Sequence, residues 1–159
     1  MSIEIERKFF LKKIPGGLKL GKSFERYYLF IGKKTEIRLQ RKGDECEIER
    51  KEINSDLTAH KYPLAISVQE FDELKKPLRK KIVGKAYRLS DSPKTSLKVY
   101  EGNHAGLIRI EVNFQSEKEA RSFVPPSWFG AELTSSPIGR DSTLIQMNLR
   151  RFRRLLSEF

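Results

Sequence analysis

The chain is poor in the residues that build most soft-metal and redox sites. It has one cysteine, Cys46, among 159 residues. A single thiol closes no intramolecular disulfide and makes no cysteine-based zinc site. The two histidines, His60 and His104, are far apart. They offer no histidine-based metal or catalytic cluster, and each is expected at the surface. No apolar run is long enough to span a bilayer. The acidic residues at the start argue against a secretory leader, so a soluble, cytoplasmic protein is expected. Acid is also in deficit: 21 Asp and Glu stand against 32 Lys and Arg, a net charge of +11. That balance favours polyanionic partners, namely nucleic acid, nucleotide, polyphosphate or an anionic membrane.

What is present suits one domain over residues 1–159 with a sizeable core. Eight segments read as strands, at about 2–10, 24–31, 35–41, 45–52, 58–66, 80–89, 95–100 and 106–114. They are rich in β-branched and aromatic residues, and turn residues separate them. Lys42-Gly43-Asp44 has the chemistry of a hairpin turn. Close strands joined by such turns predict an antiparallel sheet, and about eight strands suffice to close a barrel. Helical signals are fewer. Ser67 and Glu70, and again Ser116 and Glu119, have the capping-box spacing. Pro125-Pro126 would end the second of these helices. A third helix is expected over about 141–157. In it Ile145, Leu149, Phe152, Leu156 and Phe159 recur at helical spacing, while Arg150, Arg151, Arg153 and Arg154 crowd the rest.

One stretch stands apart. Glu4-Ile5-Glu6-Arg7-Lys8 places two carboxylates and an ammonium at period two. In a strand, Glu4, Glu6 and Lys8 share one face and Ile3, Ile5 and Phe9 the other. Such a face suits solvent, or a wet cavity in which oxygen ligands hold a hard cation beside an anion. The same five residues recur at 47–51. If Lys51 faces a cavity, so do Glu47 and Glu49.

Glu4-x-Glu6-x-Lys8 resembles the N-terminal signature of the CYTH family, the triphosphate tunnel metalloenzymes. Further pieces follow in the family's order: Arg38, a glycine-containing turn and Lys51. Then come Val99-Tyr100-Glu101-Gly102 and Ala105-Gly106-Leu107-Ile108-Arg109-Ile110-Glu111-Val112. Last is Pro126-Ser127-Trp128-Phe129-Gly130-Ala131-Glu132-Leu133-Thr134. The resemblance covers roughly residues 2–145. It implies a mainly β fold, an eight-stranded antiparallel barrel or tunnel with peripheral helices. It also implies metal-dependent hydrolysis of a triphosphate-containing small molecule, with inorganic tripolyphosphate the first expectation. Mg2+ or Mn2+ would be held by Glu4, Glu6 and Glu111, with Glu47 and Glu49 as further candidates. Triphosphate would be held by Lys8, Arg38, Lys51, Lys81, Lys85 and Arg109. Arg109 has a second reading, as ion-pair partner of Glu111. By the same resemblance, Glu132 supports the site rather than binding metal; Trp128 and Phe129, as large aromatics, are expected to pack in the core or a lid.

The chain departs from the family at several carboxylate positions. Ala59, Lys61 and Pro63 fall where the family shows Arg-x-Glu-x-Glu. Lys98 falls on an expected aspartate and Asn113 on an expected glutamate. Glu47 and Glu49 either compensate as metal ligands or pair with Lys61 and Lys98 across neighbouring strands. Three other readings stay open. One is a tunnel that binds polyphosphate or nucleotide without turnover. Another is ATP cyclisation, as in class IV adenylyl cyclases. The third is a nucleic-acid-binding protein that uses the arginine-rich tail.

Overall fold

The computed structural model describes all 159 residues. Eight strands form one closed antiparallel barrel: β1 (Ser2–Phe10), β2 (Lys22–Ile31), β3 (Thr35–Lys42), β4 (Glu45–Ile53), β5 (Thr58–Ile66), β6 (Ile82–Asp91), β7 (Lys94–Tyr100) and β8 (Ile108–Asn113). Their order around the wall is β1-β5-β4-β3-β2-β6-β7-β8. β1 closes the ring by pairing with two partners. Its first half pairs with β5, Ser2 opposite Lys61 and Glu4 opposite Ala59. Its second half pairs with β8, Glu6 opposite Asn113 and Lys8 opposite Glu111. Closure leaves no free sheet edge. Gly43 stands at φ 60° in the β3–β4 turn, a positive φ at the first turn position that glycine adopts without strain.

The barrel interior is polar, so the apolar cores lie against its outer wall and across one end. On one flank α1 (Val68–Lys75) lays Phe71 against Tyr27, Leu39 and Cys46. The predicted capping box forms, with the Glu70 amide donating to Ser67 Oγ at 3.0 Å and the Ser67 amide to Glu70 at 2.9 Å. On another flank Phe9, Leu97, Ile110 and Val112 are covered by Phe114, Phe123 and Phe129. This cover includes α2 (Glu117–Ser122), capped by Ser116 as its spacing predicts. The largest cluster joins Phe24, Ile82 and Tyr100 of the wall to Ile138, Leu144 and Phe152.

Four expectations are corrected. The helix expected over 141–157 is two helices, α3 (Asp141–Gln146) and α4 (Leu149–Leu156), because Met147 is extended and the Asn148 side chain caps a new start. β6 begins at Ile82, two residues later than expected at 80. His104 is buried against Phe152 rather than exposed, and burial lowers its pKa. Trp128 stays half-exposed beside Phe129, which alone packs into the flank cluster.

Phe71 is the one fully buried residue of α1. Phe71→Ala is expected to remove about 3–5 kcal/mol. Hydrogen exchange should show amides 68–75 losing protection before the barrel does; uniform loss would show that α1 and barrel unfold together.

Candidate functional site

Alternation along the strands sends every second side chain into the barrel. The result is a cavity of about 230 Å³, with only three hydrophobic residues among the 21 that line it. Its basic members are Lys8, Arg26, Arg38, Lys42, Lys51, Lys61, Lys94, Lys98, Arg109 and Arg140. Its acidic members are Glu4, Glu6, Glu36, Glu111 and Asp141. Cations thus outnumber carboxylates two to one, and the bore carries a net positive field.

The charges are organised in pairs. Glu4 takes Lys51 at 2.7 Å and Lys61 at 3.2 Å. Burial raises the Glu4 carboxyl, but these two lysines outweigh it and hold its pKa well below the usual carboxylate range. Glu111 takes Lys98 at 2.7 Å and Arg109 at 2.9 Å, and is likewise held low against its burial. Glu6 differs. Its one ammonium neighbour in salt-bridge range is Lys8 at 3.4 Å. Burial, then Glu111 and Glu4, push its pKa up. Glu6, where β1 meets β8, is thus the least compensated of the three carboxylates.

Glu49 is buried and pairs with Arg38 at 2.6 Å and Lys61 at 3.4 Å. The expected cross-strand contact of Glu49 with Lys61 is present. Glu47 accepts from Gln40 instead, and Lys98 turns to Glu111.

Asp141 was not foreseen. It sits at the start of α3 and enters the bore from the end that the C-terminal helices cover. It accepts from Arg26, from Tyr100 Oη at 2.7 Å and from Arg109 at 3.0 Å. These partners overcome burial and keep its carboxyl strongly ionised. Arg109 is thereby held between Glu111 and Asp141, with its Nε buried and without a hydrogen-bond partner. Arg26, Glu36, Gln40, Lys42 and Lys94 were also missed, although their spacing follows from the alternation of β2, β3 and β7. No local sequence signal marks Asp141, which reaches the bore only through tertiary packing.

Glu4, Glu6, Lys8, Arg38, Lys51, Arg109 and Glu111 all line the bore. Lys81 and Lys85 do not. Lys81 precedes β6 and lines an outer groove. Lys85 is exposed, because the inward residues of β6 are Ile82, Gly84 and Ala86. Glu132 lies outside and receives Arg7 at 2.7 and 2.9 Å.

The fold and bore together define a class: closed antiparallel tunnels that capture a compact polyanion. No family model matches the chain. An inorganic triphosphatase from Nitrosomonas europaea is 33% identical over 135 residues, spanning 82% of this chain and 89% of that protein. A crystal structure of an inorganic triphosphatase superposes with TM-score 0.68 and 29% identity, covering 93% of this chain and 97% of that one. A protein of Pyrococcus horikoshii OT3 shares the fold, with TM-score 0.56 and 14% identity over 74% of this chain and 83% of its own. The chain belongs to the CYTH family, the triphosphate tunnel metalloenzymes.

Removing Asp141 would leave Arg26 and Arg109 charged and buried. Asp141→Ala is expected to destabilise the protein by about 3–5 kcal/mol, read as a lower urea midpoint. An unchanged midpoint would mean that the two guanidiniums find other partners.

Proposed function

We propose that this protein hydrolyses inorganic tripolyphosphate within the bore, using a divalent cation. The carrying observation is the cation-lined tunnel itself, supported by the triphosphatase relative of similar length. Lys8, Arg38, Lys51, Lys61 and Lys98 hold the phosphates. A triphosphate sheds its water only where ammonium and guanidinium donors replace it. One such donor is free: Arg38 Nε is buried without a hydrogen-bond partner. Leaving it so costs about 1–3 kcal/mol, which an anionic oxygen would recover. We assign neither Lys81 nor Lys85 to phosphate, because both lie outside the tunnel.

Glu4, Glu6 and Glu111 form no ready-made metal cluster in this structure; we assign them as the oxygen ligands that a hard cation, Mg2+ or Mn2+, would draw together. The support is Glu6, whose carboxyl is pushed up by burial first and then by Glu111 and Glu4, with Lys8 alone in salt-bridge range. When bound, such a cation polarises phosphoryl oxygens and neutralises charge that builds on them as the anhydride breaks. The lysines that now neutralise Glu4 and Glu111 are also phosphate ligands. Substrate binding is therefore an exchange, in which lysines leave carboxylates for phosphates. The bore fixes the chain in line for attack by water, and positioning supplies much of the rate. We extend the reading to a cytoplasmic enzyme, on its charge-rich composition.

The test is phosphate release from tripolyphosphate with Mg2+ and with Mn2+, comparing wild type with Glu4→Gln/Glu6→Gln. Metal-dependent turnover that falls at least about 100-fold in the double variant is expected. Tight calorimetric binding of tripolyphosphate without any release would overturn hydrolysis and leave a capture tunnel.

Lys98 adds a pH signature. Burial pulls its pKa down to about 8, with Glu111 partly offsetting the shift. Below that value it is an ammonium and attracts phosphate; above it the charge is lost. Tripolyphosphate affinity should fall as pH rises through about 8, and binding there should take up a proton. Lys98→Arg, which stays charged, should abolish that fall. An identical pH profile in the variant would remove Lys98 from the phosphate site.

A further inference from the structure

A second cationic surface lies outside the bore. Arg79, Lys80 and Lys81 line a groove of about 410 Å³ together with Asn148 and Leu149, where α4 begins. On α4, helical geometry puts Arg150, Arg151 and Arg154 within an arc of about 100°. All six cations are exposed. Some exposed cations pair with acids, Lys76 with Glu73, Arg88 with Asp91 and Arg121 with Glu117, while others, such as Lys12, Lys33 and Lys118, stand unpaired but scattered along the chain. These six pair with none. The helix that carries three of them is fixed. Phe152 anchors its apolar side in the end core, and Arg153 donates to the backbone oxygens of Ala105 at 2.7 Å and Asn103 at 3.3 Å. The arginines are thus presented by a rigid element and left uncompensated, at a standing cost of mutual repulsion.

The chemistry of the surface narrows its partner. Guanidinium forks match phosphate oxygens. The apolar side of α4 packs on the end core through Phe152, Leu155 and Leu156 and leaves Leu149 alone exposed, too little to enter a bilayer as an interfacial helix does. No exposed aromatic lines the groove, and the exposed Phe30, Tyr62 and Trp128 lie elsewhere. Bases of a single-stranded nucleic acid would have no stacking platform there. We propose that this outer surface docks long-chain inorganic polyphosphate, a linear phosphate polymer without bases. The inference deepens the triphosphate reading by adding a longer substrate of the same chemistry. It uses residues outside the tunnel, so either reading can fail alone.

The experiment titrates the full chain with labelled long-chain polyphosphate at two salt concentrations. Wild type is compared with Arg150→Gln/Arg151→Gln/Arg154→Gln and with Arg79→Gln/Lys80→Gln. Tripolyphosphate turnover is measured on the same samples. Both variants change exposed side chains only, and thermal melts verify their folding. The expected result is polyphosphate binding at least about tenfold weaker in the triple variant, with a shallower salt dependence. The KM for tripolyphosphate should stay unchanged. Unaltered polyphosphate affinity in both variants would overturn the proposal, as would failure of wild type to bind. Tighter binding of single-stranded RNA or duplex DNA than of polyphosphate would also overturn it. Absent tripolyphosphate turnover in wild type would count against the tunnel reading and leave the outer surface to its own test.

Discussion

A barrel of eight strands must fill its interior, and this one fills it with charge. Everything else in the structure follows from that constraint. An unpaired charge taken out of water is costly, so each carboxylate in the bore needs a cation nearby. Glu4 gathers Lys51 and Lys61, Glu111 gathers Lys98 and Arg109, and Glu49 gathers Arg38. An interior committed to ion pairs contributes little hydrophobic stabilisation. The apolar clusters therefore form between the outer wall and the helices that wrap it, and across one end. The peripheral helices are the cover under which this protein hides its core.

The same pairing explains how a dense set of charges can serve as a binding site. The ion pairs hold lysines and carboxylates in place without substrate, so the bore is organised in advance. A polyanion and a cation arriving together offer each member of a pair a new partner of the right sign. The exchange replaces one set of charge contacts by another, which keeps the desolvation penalty small. Arg26 and Arg109 also serve the wall, and Arg109 Nε is left without a partner as Arg38 Nε is. Asp141 holds Arg26 and Arg109, and its bonds to both and to Tyr100 fasten α3 to the tunnel wall.

The substitutions that weaken the family's carboxylate set have a structural answer. Lys61, where the family carries a glutamate, bridges Glu4 and Glu49 across three strands. Lys98, in place of an aspartate, neutralises Glu111. Each replaces a negative group by a positive one beside an existing carboxylate, which moves the bore toward binding anions. Glu49 then restores part of the balance from β4. The second Glu-Ile-Glu-Arg-Lys stretch is legible in this light, with Glu49 and Lys51 facing inward and Arg50 out.

Local patterning by itself determined the wall. Period-two alternation in β1, β3 and β4 decides which side of each strand is charged, because successive side chains point to opposite faces. It put Glu4, Glu6 and Lys8 on one face of β1; the family resemblance added Arg38, Lys51 and Glu111, and all six line the bore. The caps of α1 and α2 were equally legible, since Ser67 and Ser116 act on amides three residues away. Register across weakly patterned segments was not. Lys81 and Lys85 were misplaced because β6 alternates among small and mixed residues, and a shift of one residue reverses every face. Tertiary structure alone decided the rest. The break at Met147, the burial of His104 and the arrival of Asp141 between Arg26 and Arg109 depend on how the C-terminal helices meet the barrel end. No periodicity within 141–157 encodes that meeting, because the groups that complete it lie on strands far away in the chain.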